Sequence, residues 1–264
     1  MQYKSLLKKM ITEPTEPVQY FLDMSSDVIN VNQLIGKTIE ITFDHFQCMG
    51  CGKDKKLFRN GFCYDCFYKL PQAADWIIKP ELSRAHLGIE DRDLDYEQRV
   101  QLKPHIVYLA NSSHLKVGVT RKEQVPTRWI DQGAHEAIEM VEVPNRYLAG
   151  ITEIALKAYV NDKTNWRKML TNNIEDVNLV EWKEKLKKEL PDEVKDYYLE
   201  NSKEVQIVFP VSKYPNKVKS LNLGKQPNYK GKLTGIKGQY WLFEDSTVFN
   251  VRSHEGHVVH LKIH

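Results

Sequence analysis

The four cysteines of this chain form two pairs with the same internal spacing, Cys48-x2-Cys51 and Cys63-x2-Cys66, and eleven residues separate the pairs. Two such turns can direct four thiolates at one ion, which is the usual closed arrangement of a structural zinc site. The sequence therefore predicts a zinc unit over residues 47–70, in which Zn²⁺ folds the segment and has no open position for catalysis. Two redox-active dithiols or buried free thiols are the alternative, but two pairs at this spacing do not favour it.

The residues around the cysteines favour tight backbone turns. Gly50 and Gly52 lie on either side of Cys51, where a sharp turn needs a permissive backbone. Asn60-Gly61 comes just before the second pair, and this dipeptide predicts a hairpin turn. Both observations agree with a compact metal-binding unit.

Composition and charge are typical of an ordinary globular protein. Of the 264 residues, 41% are hydrophobic and 28% are charged, and the formal net charge is +3. A net charge this small does not itself indicate a nucleic-acid partner, so that argument depends on where the charges lie. The chain has no apolar run of about 18 residues and no signal-peptide core in Met1–Met10, so we expect a cytoplasmic protein without a membrane partner.

Changes of pattern along the chain predict an α+β protein of several parts. The parts are an N-terminal segment with one barrel strand (1–46), the zinc unit (47–70), a connector (71–103), a central α/β domain (104–177), a charged helical stretch (178–204) and a small β-barrel (205–264). The length alone gives a prior of about two domains.

The barrel is predicted from short strands separated by turn residues. Strands are expected from Val205 onwards and then over Lys232–Ile236, Gln239–Phe243, Val248–Arg252 and His257–Ile263. A further strand is expected over Gly36–Phe46, where apolar and polar residues alternate. Since this strand has no partner nearby in the sequence, we expect it to complete the barrel, which makes that domain discontinuous.

The central domain begins with a predicted hairpin. His105–Ala110 and Leu115–Thr120 are short apolar strands with a turn between them. A helix is predicted over Thr127–Ala137 and a second helix over Arg146–Asn161, where apolar residues recur at helical spacing. Glu153 lies on the second helix beside its apolar stripe.

The order of residues in this region resembles the GIY-YIG nuclease superfamily. That superfamily has a tyrosine strand, a second strand ending in a glycine turn, an arginine at a helix start and a glutamate on a later helix. The matching residues are Tyr108, Gly118, Arg128 and Glu153, which span about a quarter of the chain. The whole chain also resembles a zinc-containing bacterial family known only as domain of unknown function 2797, and this second resemblance implies no activity.

The nuclease resemblance implies a role for each matching residue. Tyr108 would help to activate or orient the attacking water, and Gly118 would let backbone and substrate approach closely. Arg128 would clamp the phosphate, and Glu153 would hold a divalent ion, Mg²⁺. Lys116 stands where the second motif's tyrosine usually stands, a position at which some branches of the superfamily tolerate lysine.

Phosphodiester hydrolysis needs a metal to neutralise phosphoryl charge, a group to orient water and, for extra support, a bidentate guanidinium.

Each candidate residue also has an explanation that involves no catalysis. A tyrosine in a strand, such as Tyr108, is more often part of the core than catalytic, and Arg128 is explained by a side chain that extends from a helix to water. Glu153 is explained by an ion pair with Lys157 four residues later. Arg121 is an alternative phosphate contact to Arg128.

A local basic segment is the strongest sign of a nucleic-acid partner. No acidic residue lies between Glu204 and Glu244, although this interval contains seven lysines: Lys213, Lys217, Lys219, Lys225, Lys230, Lys232 and Lys237. Four aromatic residues are interleaved with them: Tyr214, Tyr229, Tyr240 and Trp241. Lysines neutralise phosphates and aromatic rings stack on bases, so the barrel is predicted to bind DNA or RNA. A lysine-rich surface over an aromatic core is the alternative.

Together these patterns predict a nucleic-acid-interacting protein with a structural Zn²⁺. The enzyme hypothesis is Mg²⁺-dependent phosphodiester hydrolysis by Tyr108, Arg128 and Glu153, with Lys116 as a further candidate. One alternative is a non-catalytic module that keeps the fold to bind nucleic acid or a ribonucleoprotein. Another is a zinc-stabilised adaptor that binds protein partners.

Overall fold

A computed structural model describes residues 1–25 and 27–264. The chain divides into two units, and the first is assembled from three separate segments: Met1–Tyr68, Leu170–Asn173 and Ile207–His264. The second unit contains Lys69–Met169 and Ile174–Gln206. All four cysteines thus belong to the first unit, and the region expected as a connector belongs to the second.

The strands of the described residues are numbered along the chain. They are β1 (Gln2–Leu6), β2 (Ile11–Glu13), β3 (Gln19–Asp23), β4 (Val28–Asn30), β5 (Thr38–Phe46), β6 (His105–Asn111), β7 (Leu115–Arg121), β8 (Glu136–Val143), β9 (Val205–Gln206), β10 (Lys219–Ser220), β11 (Asn228–Lys237), β12 (Tyr240–Phe243), β13 (Thr247–Asn250) and β14 (His257–Ile263). The α-helices are α1 (Tyr64–Lys69), α2 (Leu94–Gln101), α3 (Thr127–Asp131), α4 (Arg146–Leu156), α5 (Trp166–Leu170) and α6 (Leu179–Lys187).

The first unit contains a seven-stranded sheet in the order β1-β14-β5-β11-β12-β13-β10. Strand β5 corresponds to the strand expected over residues 36–46, and it pairs antiparallel with β14 and with β11. Its buried Ile39 and Ile41 alternate with Glu40 and Thr42, so one face of the strand packs into the core. A smaller antiparallel sheet, β2-β3-β4, lies in the same unit.

The expected closed barrel is wrong for the part of the chain that the structure describes. Closure requires the two outermost strands of the sheet to pair, and here β1 and β10 each have one partner. Strand β1 pairs with β14 alone, and the two-residue β10 pairs in parallel with β13. The result is an open sheet with two short edge strands.

The second unit is built on an antiparallel sheet in the order β7-β6-β8-β9. Strand β6 lies inside this sheet and all seven of its residues are buried. The hairpin of β6 and β7 places Tyr108 opposite Gly118. On the other side of β6, Tyr108 lies opposite Glu139 of β8.

The helix predicted over Thr127–Ala137 is wrong beyond its first half. Helix α3 ends at Asp131, and the chain then passes Gly133 at a φ of +66°. A residue with positive φ ends a helix readily, and glycine adopts it without strain. Residues 136–143 instead form β8, whose Ile138, Met140, Val141 and Val143 are buried in the core of this unit.

Helix α4 follows β8 and carries Glu153. Asn145 caps its first turn, because the Asn145 side chain accepts a hydrogen bond from the backbone N–H of Leu148. Gly150 packs directly against the backbone of the preceding segment, since a Cβ atom there would lie 2.2 Å from the nitrogen of Glu81. This close contact packs α4 against the 3-10 turn at Pro80–Leu82. The helix ends at Leu156, earlier than the predicted Asn161.

The charged stretch predicted as helical divides into α6 and a 3-10 segment over Asp192–Tyr197. Pro191 lies at the junction, as the sequence indicated, because proline cannot continue the backbone hydrogen bonding of a helix. No helix among the described residues combines the length and the apolar character that a membrane crossing requires.

Candidate functional site

The predicted four-cysteine cluster is confirmed. The sulfur atoms of Cys48, Cys51, Cys63 and Cys66 all lie within 4.8 Å of one another. Four thiolates at this spacing could hold one metal ion such as zinc, with no ligand position left open. Among residues 1–25 and 27–264, no other group of three or more Cys, His, Asp or Glu side chains is arranged to hold a metal.

Local backbone geometry positions the four sulfur atoms. Gly52 donates to the Cys48 carbonyl at 2.8 Å with a φ of +67°, which closes the first turn. Asn60 and Gly61 both have positive φ, and Phe62 pairs with Arg59 across them in the hairpin turn that the Asn-Gly pair predicts. Helix α1 starts directly after Cys63 and carries Cys66 in its first turn.

Backbone N–H groups prepare Cys48 to be a thiolate. Its sulfur accepts hydrogen bonds from Gly50 at 3.3 Å and from Cys63 at 3.2 Å. Burial raises the pKa of Cys48, but hydrogen bonds from the backbone of Cys63, Cys51 and Gly50 and from the Cys63 side chain outweigh burial and lower the pKa to about 6. Burial and hydrogen bonds with the other thiols raise the pKa of Cys66 to about 12. The donor set fits a metal, because a cation is what stabilises four thiolates at once.

A second cluster of polar groups surrounds Tyr108 in the second unit. The Tyr108 side chain is fully buried, and its hydroxyl donates a hydrogen bond to Oε1 of Gln132 at 2.9 Å. Gly118 makes room for the phenol, because a Cβ atom at that position would lie 2.6 Å from the Tyr108 hydroxyl oxygen. Gly118 therefore lies inside strand β7 and accommodates the tyrosine ring, whereas the resemblance expected it in a turn that admits substrate.

Lys116 lies in the same buried layer. Only 2% of the residue is exposed, and its ammonium donates a hydrogen bond to the Oε1 atom of Gln132 that also accepts from Tyr108. Burial and the nearby Arg128 guanidinium lower the pKa of Lys116 to about 7. The carboxylates of Glu153 and Asp162 oppose this shift. Gln132 thus joins the phenol and the amine.

Arg128 and Glu153 are the more accessible members of the cluster. Arg128 is half-buried near the start of α3. Burial raises the pKa of the Tyr108 hydroxyl, and the Arg128 guanidinium offsets only part of this rise. The Glu153 side chain is 12% exposed, and burial raises its pKa while Lys157 opposes the change. Lys157 pairs with Glu153 at 3.6 Å and with Asp162 at 3.2 Å. The expected i, i+4 ion pair therefore exists within the cluster.

Arg146 is a charged group near this cluster that the sequence did not indicate. Arg146 donates hydrogen bonds to the carbonyls of Trp76 and Ile77, and burial lowers its pKa to about 10. The charges of Glu153, Arg128 and Arg121 all act on this guanidinium. Arg146 gave no signal beyond its place in the first turn of a predicted helix, because its neighbours come from distant parts of the sequence.

Six of the seven candidate lysines are exposed: Lys213, Lys217, Lys219, Lys225, Lys230 and Lys232. Although residues 205–243 include no acidic residue, the fold places acidic residues from other segments next to two of these lysines. Lys230 lies opposite Glu40 in the sheet, and Lys232 lies 3.7 Å from Glu244. Carboxylates from neighbouring strands therefore reduce the local positive charge.

Lys237 is the exception, since it is buried and cannot serve as a surface contact for a phosphate. Its ammonium donates to Oδ1 of Asn172 at 3.2 Å and lies 5.4 Å from the Phe209 ring and 5.3 Å from the Tyr214 ring. Burial lowers the pKa of Lys237 to about 8. Its role in this structure is a buried polar contact between segments of the first unit.

The interleaved aromatic residues are mainly part of the core. Trp241 is buried. Tyr229 is also buried, and its hydroxyl donates a hydrogen bond to Oδ1 of Asp245 at 2.9 Å. Tyr214 and Tyr240 are half-buried. The base-stacking role predicted for these rings is therefore wrong for Trp241 and Tyr229, because the sheet packs them inside.

Comparison with known proteins identifies a family without supplying an activity. A family model described as a protein of unknown function (DUF2797) matches residues 36–259, which is more than half of the chain. No curated protein and no solved structure matches the chain. The matched range includes both the four cysteines and the cluster around Tyr108.

Proposed function

The chain belongs to the DUF2797 family, and we propose that this member interacts with nucleic acid, has a structural Zn²⁺ at its four cysteines and hydrolyses phosphodiesters at a GIY-YIG-like site. The observation that carries the proposal is the cluster around Tyr108. The phenol of Tyr108 and the amine of Lys116 share Gln132 as a hydrogen-bond acceptor, and the charges of Arg128 and Glu153 act on both groups.

The accessible groups suit contact with a phosphate ester. Arg128, half-buried at the start of α3, would bind the phosphoryl oxygens in a bidentate manner. Glu153 would hold Mg²⁺, and a carboxylate with Asp162 nearby suits a mostly hydrated ion of this kind. The ion, when bound, would neutralise charge on the phosphoryl oxygens and activate water.

The buried groups would act through their neighbours. Tyr108 and Lys116 share Gln132 as a hydrogen-bond acceptor and reach no solvent of their own, so they are positioning residues in this proposal. Their hydrogen bonds to Gln132 hold α3 against the hairpin, and Arg128 is on α3. The pair would therefore set the direction of the guanidinium.

The enzyme proposal is tested by nicking of supercoiled DNA and of structured RNA by the full chain, with and without Mg²⁺. We expect cleavage that needs the ion and falls at least about 100-fold in Glu153→Gln, because removal of a ligand charge weakens Mg²⁺ binding. Glu142→Gln is the matched control, since that carboxylate pairs with Lys122 outside the cluster. Cleavage that persists in Glu153→Gln would reject Glu153 as the ligand.

A non-catalytic binding module is the second candidate, and the complete burial of Tyr108 favours it. A phenol without access to water cannot itself orient a nucleophile. This candidate predicts salt-sensitive affinity for nucleic acid with no turnover at any Mg²⁺ concentration. A protein-interaction adaptor predicts neither cleavage nor affinity, so the same two measurements separate all three functions.

A further inference from the structure

An exposed aromatic surface covers one side of the zinc unit. It consists of Phe58 from the hairpin and Tyr64, Phe67 and Tyr68 from α1. Three of these rings are open to solvent, with exposures of 41% for Phe58, 62% for Tyr64 and 53% for Tyr68. Large apolar side chains that cluster on a surface usually mark a binding site, whereas scattered ones need no explanation.

The rings contact one another and form a continuous surface. The Phe58 ring centroid lies 5.3 Å from that of Tyr64, 5.2 Å from Phe67 and 5.8 Å from Tyr68. Tyr64 and Tyr68 are 4.8 Å apart. Residues 64, 67 and 68 share one helical face because they follow the i, i+3, i+4 spacing. Four rings are therefore held together by a unit that the four cysteines brace.

Positive charge accompanies the rings. The Arg59 guanidinium carbon lies 5.4 Å from the Phe58 ring and 6.0 Å from the Phe67 ring. Lys53 and Lys56 are exposed in the loop before the hairpin. The acids of α1 and of this loop already have partners: Asp65 pairs with Lys55 at 3.1 Å, and Asp54 lies 3.3 Å from the His45 ring. The surface thus combines stacking faces with cations, which is the combination that single-stranded nucleic acid requires.

We propose that Phe58, Tyr64 and Tyr68 stack on unpaired bases of a single-stranded nucleic acid, while Arg59 and the neighbouring lysines contact its phosphates. This inference rests on the proposed interaction with nucleic acid and assigns the base contacts to the zinc unit. It moves them away from the sheet residues Tyr229 and Trp241, which are buried. Stacking faces accept every base, so the surface binds single strands without a strict sequence preference.

The test compares a strand that has bases with one that lacks them. Fluorescence anisotropy measures the affinity of the zinc-loaded full chain for 12-nucleotide oligothymidine, for oligouridine of the same length and for an abasic strand with the same phosphates. We expect the base-containing strands to bind at least about tenfold more tightly than the abasic strand, because stacking changes affinity by roughly 5- to 150-fold per base.

Substitution of the rings should remove this difference. We expect the triple variant Phe58→Leu, Tyr64→Leu, Tyr68→Leu to bind base-containing strands as weakly as it binds the abasic strand. Its affinity for the abasic strand and its zinc content should equal those of the wild type. Tyr64→Phe should retain wild-type affinity, because it keeps the ring. The control Tyr197→Leu removes a tyrosine that is 39% exposed in the second unit and should have no effect.

Each contrary outcome has a separate meaning. Equal wild-type affinity for abasic and base-containing strands would overturn the stacking inference and leave the interaction with nucleic acid intact. A chain that binds none of the three strands would overturn this inference, and it would overturn the interaction with nucleic acid as well only if supercoiled DNA and structured RNA also fail to bind. Competition by a 12-residue oligoglutamate as strong as that by oligothymidine would show that the surface binds acidic protein segments.

Discussion

At the scale of single residues, the contact between Gly118 and Tyr108 explains why a glycine lies in the middle of a strand. Glycine is unfavourable inside a sheet because it packs no side chain and loses more entropy on folding. Here the empty space is filled by the phenol from the neighbouring strand, which a Cβ atom would meet at 2.6 Å. The glycine is therefore a packing requirement of the buried tyrosine, whatever the reaction.

We expect Gly118→Ala to lower the free energy of unfolding by about 1–3 kcal/mol, because the ring must shift inside a closely packed core. Urea denaturation measures the change. The effect should shrink by at least about 1 kcal/mol in a Tyr108→Leu background, where the contact is lost. Gly224→Ala, at an exposed turn, is the control and should change stability by less than about 0.5 kcal/mol. Full additivity of the Gly118 and Tyr108 changes would contradict this explanation.

The buried amine of Lys116 predicts how the free energy of unfolding depends on pH. Its pKa is about 7 in the folded chain, below the ordinary lysine value of 10.5, because burial disfavours the charged amine. Between these two values the unfolded chain keeps a proton that the folded chain has released, so stability rises with pH. Relative to Lys116→Met, the wild type should gain about 1 kcal/mol of unfolding free energy per pH unit from about pH 7 to pH 10.

The comparison with Lys116→Met cancels other groups that titrate over the same range. Arg128, Glu153 and Asp162 act on the amine from α3, α4 and the segment after α4, and they are unchanged in the variant. Denaturation at several pH values gives the difference directly. A difference that stays flat from pH 7 to pH 10 would mean that Lys116 remains charged in the folded protein.

At the scale of elements, the zinc unit consists of a hairpin and the six-residue helix α1. None of the residues of α1 is buried. Elements this short do not fold in isolation, because too little apolar surface is buried to offset the entropy of the ordered chain. The four thiolates supply what the core lacks, since metal binding contributes directly to folding. The same reasoning explains how exposed rings on α1 can be held in fixed positions.

We expect metal analysis to find about one zinc ion per chain, and we expect a chelator to unfold the unit. Hydrogen exchange of residues 47–68 should become fast after chelation and slow again when zinc is restored. Cys48→Ser should behave as the chelated protein does. Ser253→Ala, at an exposed turn elsewhere in the first of the two compact units, should retain the metal. A metal-free chain that keeps slow exchange over these residues would contradict a structural role for zinc.

At the scale of the whole molecule, the net charge of +3 conceals an uneven distribution. Some exposed lysines lie beside carboxylates, as Lys232 does with Glu244. Others, such as Lys213, Lys217 and Lys225, form no ion pair with the residues that the structure describes. Unpaired lysines release counterions more readily when they meet a phosphate, so these three should contribute to any binding of nucleic acid by the first unit.

A matched pair of variants tests this distribution. The test variant combines Lys213→Gln, Lys217→Gln and Lys225→Gln. We expect it to reduce the slope of log affinity for nucleic acid against log salt concentration by about 2, since each phosphate contact contributes roughly 0.7 to 0.9 to that slope. The control removes three lysines that already pair with glutamates: Lys185, Lys187 and Lys188. It carries the same net charge and should change the slope by less than about 0.5. Equal slopes in the two variants would reject a localised basic surface.

The sequence by itself determined the features that depend on neighbours a few residues apart. The four-cysteine cluster is confirmed because CxxC turns and an Asn-Gly hairpin are set by local backbone geometry. Alternation along residues 36–46 likewise predicted a strand, since side chains of a strand point to opposite faces in turn. The DUF2797 resemblance is also confirmed, over residues 36–259.

Only the tertiary structure decided what strand pairing and long-range packing control. Residues 136–143 became a strand because β6 offers an edge and a core for them. Lys237 and Trp241 became buried, and Lys232 gained an acidic neighbour, although nothing within a few residues of them indicates either outcome. Contacts between distant segments cost chain entropy that the whole core must offset, and so they are properties of the assembled fold rather than of any short window of sequence.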